Sequence, residues 1–74
     1  MRNISKEILA RLREEYPAGA RVELISMDDP YNIQLTPGAT GSVVSVDDMG
    51  TIHVQWDCGS SLGVIYGVDR CKLL

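Results

Sequence analysis

Apolar positions along the chain follow two different periods. Ile4, Ile8, Leu12 and Tyr16 recur at every fourth residue, with Leu9 beside them. That spacing lines up one face of an α-helix. Ser5 is placed to cap its N-terminus, and Glu7 in the first turn suits the positive end of the helix dipole. Arg11, Arg13, Glu14 and Glu15 fall mostly on the opposite face, Pro17 stops the helix, and Gly19 helps turn the chain. The pattern predicts a helix over 4–16. A lone helix of this length is marginal in water, so its stripe must dock. The plainer reading docks it on its own domain; the sharper one makes it a partner-binding helix or a dimer seam.

Beyond residue 20 the apolar period drops to two. Residues 21–26 read as a strand with Val22 and Leu24 on one face, and 27–38, with two prolines and no period, as a long loop. Residues 41–46 form a second, β-branched strand. Asp47 to Gly50 make a hairpin loop in which Gly50 suits the left-handed position. Over 51–57, Ile52, Val54 and Trp56 face one way and Thr51, His53, Gln55 and Asp57 the other. A second tight turn at 57–60, a fourth strand at 62–66, a short turn at 67–70 with a 3₁₀ step, and a brief last strand at 71–74 complete the chain. The expected fold is mainly β with one N-terminal α-helix: a single domain, 1–74, whose residues 21–74 form a five-stranded SH3-like barrel. The expected core is Val22, Leu24, Leu35, Val43 or Val44, Ile52, Val54, Trp56, Ile65 and Leu73, capped by Ile8 and Leu12.

Length and charge narrow the function. Seventy-four residues allow one small domain with a thin core. The 45% apolar, 23% charged composition is that of a globular chain. No apolar run is long enough to span a membrane, and the charged N-terminus does not read as a secretory signal. The net charge of −3 is unevenly spread. Residues 1–21 carry five basic and three acidic groups, +2; residues 22–74 carry two basic and seven acidic groups, −5. An acidic body repels phosphate, which disfavours nucleic acid and favours a protein with a basic surface.

Candidate chemistry is sparse. His53, the only histidine, shares the outer face of its strand with Gln55 and Asp57, and no nucleophile is placed beside it by spacing, so it reads as a surface cross-strand residue. Cys58, Cys71 and His53 are too few and scattered for zinc, and the two cysteines read as reduced thiols. Asp28–Asp29 and Asp47–Asp48 lack EF-hand spacing; adjacent aspartates commonly start turns, and an acidic docking patch is the functional alternative. Trp56 alternates into the core rather than standing out as a recognition aromatic. Residues 38–42, Gly-Ala-Thr-Gly-Ser, lack a following lysine and precede a strand, so they are not a phosphate loop. Neither a catalytic constellation nor a cofactor or metal site is expected.

Several strings together resemble a known family: Met-Asp-Asp-Pro-Tyr at 27–31, Thr-Pro-Gly at 36–38, and Val-Asp-Asp-Met-Gly-Thr-Ile-His-Val-Gln-Trp-Asp at 46–57. They are similar to domain of unknown function 4314, over residues 4–74. That resemblance implies a small bacterial protein of mobile elements or phages, in the cytoplasm, and carries no assigned activity. At Cys58 the family pattern tends to place Asn before Gly59, the preferred two-residue turn, so this turn is expected to be strained or of another type. The expected function is a non-catalytic module that binds a basic protein partner through Asp28, Asp29, Tyr31, Asp47, Asp48 and Met49, with Tyr31 as anchor and the aspartates as charge steering. The alternatives are an inhibitor of a host defence nuclease acting as an acidic mimic, and a nucleic-acid accessory domain. The chain is expected to be a monomer, or a weak homodimer through its last strand.

Overall fold

The computed structural model describes residues 4–29 and 35–74. Helix α1 spans Lys6–Glu15. The Ser5 side chain accepts the amide of Ile8 at 3.1 Å, and the Tyr16 amide closes the last turn on Leu12. Ile4 and Tyr16, included in the expected 4–16 span, flank the helix rather than belong to it. Leu12 is buried and Ile4, Ile8 and Tyr16 pack half-buried against the core, so the stripe docks on its own domain.

Five strands follow: β1 (Arg21–Ser26), β2 (Thr40–Val46), β3 (Thr51–Trp56), β4 (Val64–Ile65) and β5 (Arg70–Leu73). They form one antiparallel sheet in the order β4-β3-β2-β1-β5. The chain entering β2 is tied to β1, because Leu24 donates to Ala39 and accepts from Gly38. In β2, Val43 pairs with Val54 and Ser45 with His53, which leaves Val44 as a bulge. Alternation from Gly41 puts Val43 inward and Val44 outward, deciding between the two candidates, and the extra residue then leaves Ser45 exposed and Val46 packed against the core. Gly41 lies opposite Trp56, where a Cβ would stand 2.7 Å from the Gln55 carbonyl and 2.9 Å from the Trp56 Cα. Only a residue without a side chain lets the two strands approach there.

The two hairpin loops are built alike. In one, Asp47 N–H donates to Thr51 and Gly50 N–H to Asp47; in the other, Trp56 donates to Ser60 and Gly59 to Trp56. Gly50 and Gly59 take the left-handed conformation that closes a three-residue loop. Among the described residues no non-glycine has positive φ, so Cys58 is unstrained: the turn is the longer type, and the two-residue Asn-Gly geometry is not used.

The buried core is Leu12, Val22, Leu24, Leu35, Val43, Ile52, Val54, Trp56 and Val64. Two expected members are absent from it. Val64, opposite Ile52, takes the inward position, and period two then sends Ile65 outward beside Thr51. Leu73 lies opposite Val22 on an edge strand with nothing paired beyond it and stays half-exposed. The fourth strand is also shorter than the expected 62–66. The Leu62 carbonyl accepts the Trp56 indole N–H at 2.9 Å, and the Leu62 amide bonds Ser60 Oγ, so side chains occupy groups a ladder would use.

The sheet is open, where a closed barrel was expected. Its edge strands β4 and β5 are not paired with each other. A turn closes on Ile65, whose carbonyl accepts the amides of Val68 and Asp69. The buried Asp69 carboxylate then spans the gap, accepting the Ile65 amide at 3.0 Å and the Asp28 amide at 2.8 Å. A side chain thereby links β4 to the chain leaving β1.

Candidate partner-binding surface

The two aspartate pairs leave the sheet on segments that meet around Thr51. Asp28 and Asp29, just past β1, line an open cleft of about 250 Å³ with Thr51, Gly63 and Ile65. Asp47 reaches the same residue from the β2–β3 loop, its Oδ1 accepting the Thr51 amide at 3.0 Å. Three of the expected site residues therefore border one position. Met49 is well exposed at the loop tip. Tyr31 lies outside the described residues.

The four aspartates do different work. Asp47 is largely committed to its own turn: Oδ1 also accepts the Met49 amide at 3.0 Å, and Oδ2 stands 2.9 Å from His53 Nε2. The His53 hydrogen bond, followed by that of the Thr51 amide, holds its carboxyl below the usual value. Asp48 points into solvent, yet its Oδ1 meets Arg13 Nη2 of α1 at 2.6 Å, and Arg13 Nε donates to the Val46 carbonyl at 3.4 Å. Asp28 uses its backbone amide on Asp69, and among the described residues nothing pairs with its exposed carboxylate. Asp29 is half-buried.

The same contacts bear on the other candidates. His53 is half-buried on the strand surface, its Nε2 against the Asp47 carboxylate, with Ser45 as its cross-strand partner. Arg2 lies outside the described residues and Arg13 is engaged with Asp48, so the basic residues of the helix are not a free stripe. Cys58 is exposed and Cys71 half-buried, both as thiols. Sequence reasoning missed Asp69 and the Arg13–Asp48 pair. Asp69 was legible only as one more turn residue, and no local spacing links positions 13 and 48.

Past the other end of β3, Asp57 forms a fork with Arg21: Oδ1 accepts Nη1 at 3.0 Å, Oδ2 accepts Nη2 at 2.5 Å, and the Thr40 hydroxyl adds a third bond. The Arg21 and Thr40 hydrogen bonds lower its pKa from 3.8 to about 2. A carboxylate depressed on folding contributes stability above its unfolded pKa, and that contribution disappears as pH falls through the folded value. Wild-type melting temperature should therefore decline between about pH 4 and pH 2. Asp57→Asn should flatten that part of the curve in a pH series of thermal melts. Parallel curves for the two proteins would show that the fork does not couple to folding.

No curated protein and no solved structure matches the chain. A family match covers residues 5–74, nearly the full length, and on that ground the chain belongs to the family described as Domain of unknown function (DUF4314).

Proposed function

We propose that this protein is a non-catalytic binding module that docks a basic protein partner through the acidic edge carrying Asp28, Asp29, Asp47, Asp48 and Met49. The observation that carries the reading is the seat of Arg13. An exposed carboxylate and a strand-end carbonyl at the hairpin tip already hold a guanidinium. An arginine from another protein meets the same acceptors by displacing Arg13, with Asp28 and Asp29 nearby across Thr51. Charge complementarity of this kind steers encounter and sets register more than it adds affinity. The fold belongs to the same reading: the strand order, two short hairpins and a turn before the last strand fit SH3-like connectivity, with the β4–β5 seam bridged by Asp69 instead of a ladder.

The test is capture from a lysate of the source organism, with the partner identified by mass spectrometry. Asp28→Lys combined with Asp48→Lys should abolish recovery of that partner. Melting should stay within about 4 °C of wild type, as expected for exposed substitutions. Undiminished recovery by the charge-reversed protein would remove the acidic edge as the docking surface.

A further inference from the structure

A second, larger cleft of about 430 Å³ opens between the C-terminal end of α1 and the turn joining β4 to β5. Its floor is Leu12, Ile52 and Val64, all members of the core. Tyr16 and Tyr66 stand in its lining with Glu15, Arg70 and Asp69, whose carboxylate is already taken up by two backbone amides. The size falls in the range of small-ligand and side-chain pockets. The acidic edge makes no use of it.

Glu15 and Arg70 do not act equally on the aromatic wall. Burial raises the Tyr16 phenol above its ordinary pKa, and the neighbouring Cys71 and the Glu15 carboxylate raise it further; Arg70 is not among the groups acting on it. The Glu15 carboxylate, next to Tyr16 in the lining, makes that end of the cleft electronegative. Cys71, hydrogen-bonded to Tyr16, has its thiol pushed up by burial, so it contributes a neutral, polarisable wall and not a nucleophile. Apolar depth, aromatic rings and a carboxylate at one end together match a side chain with an aliphatic stem and a cationic head.

We propose that this cleft receives an arginine side chain of the basic partner, its stem over Leu12 and Val64 and its guanidinium against the tyrosine rings near Glu15. Arginine is favoured over lysine because its weakly hydrated planar head stacks on aromatic rings. The proposal rests on the reading that the partner is basic, but concerns a different surface from the acidic edge.

The probe is N-acetyl-arginine amide, titrated into the full chain and followed by amide NMR. Saturable shifts are expected at Val68 and Cys71. N-acetyl-norleucine amide, which keeps a stem and lacks the charge, should bind about 2–5-fold more weakly, the span of an exposed cation–π contact. Glu15→Gln and Tyr66→Leu should each weaken the arginine probe by a similar factor without changing the melting temperature. Equal binding of the norleucine probe would overturn the proposal in favour of a purely apolar groove. Shifts that never saturate, or that are confined to Asp28 and Asp48, would also overturn it while leaving the acidic edge standing. Loss of partner capture on charge reversal at Asp28 and Asp48, with no change for Glu15→Gln or Tyr66→Leu, would likewise keep the edge and discard the cleft.

Discussion

Trp56→Ala is expected to remove a large share of the folding free energy of this domain. The indole is 1% exposed, the bulkiest of the fully buried side chains, and its N–H is satisfied by the Leu62 carbonyl. Truncating a buried aromatic costs about 3–5 kcal/mol, because the lost transfer energy is joined by a cavity that a thin core cannot refill. A 74-residue domain has about 4–11 kcal/mol in total. The variant should therefore show a much lower urea midpoint by circular dichroism, or no folded baseline. Trp56→Phe keeps most of the volume but strands the Leu62 carbonyl, and should lose only about 1–2 kcal/mol. Wild-type fluorescence gives an independent check: the single tryptophan should emit at short wavelength and shift to the red on unfolding. A Trp56→Ala midpoint equal to that of wild type would take the indole out of the core.

The second large effect is expected at Asp69. The residue is 7% exposed, and its carboxylate accepts two backbone amides from segments 41 and 4 residues away, Asp28 and Ile65. Asp69→Ala leaves both amides without an acceptor in a partly enclosed site, at a cost of about 1–3 kcal/mol. For a domain of this size that corresponds to a drop of roughly 4–20 °C in melting temperature. Asp69→Asn retains one acceptor oxygen and presents a donor to the other amide, so it should fall between alanine and wild type. Hydrogen exchange reads the mechanism directly: the Ile65 and Asp28 amides should lose protection in Asp69→Ala while the centre of β3 keeps it. Unchanged exchange at both amides would mean that the seam does not depend on this side chain.

The elements with strong local signals were legible in the sequence because their determinants are local. Ser5 caps a helix of period four, the alternation Ile52, Val54, Trp56 selects the inner face of β3, and Gly50 and Gly59 close their loops. The errors gather where a strand meets an edge. Leu73 has no neighbour beyond it to complete its burial, and Ile65 faces outward because Val64 takes the inward position on the same edge strand. Four of the six expected site residues were readable as exposed or turn-forming acids, yet their allegiance was not. Asp47 serves its own loop and His53, Asp48 is met by Arg13, and Asp28 alone leaves its carboxylate unpaired among the described residues.

Periodicity, capping and turn chemistry thus determined on their own that this chain is one helix followed by five antiparallel strands around Trp56, since each acts within a few residues. Contacts between distant segments belong to the tertiary structure alone. The docking of Arg13 on Asp48, the Asp69 bridge across an open seam, the choice of Val64 over Ile65, and the cleft between Tyr16 and Tyr66 all depend on which segments come to lie side by side. Register and chain crossing set those distances, and neither is written in the spacing of residues along a single strand.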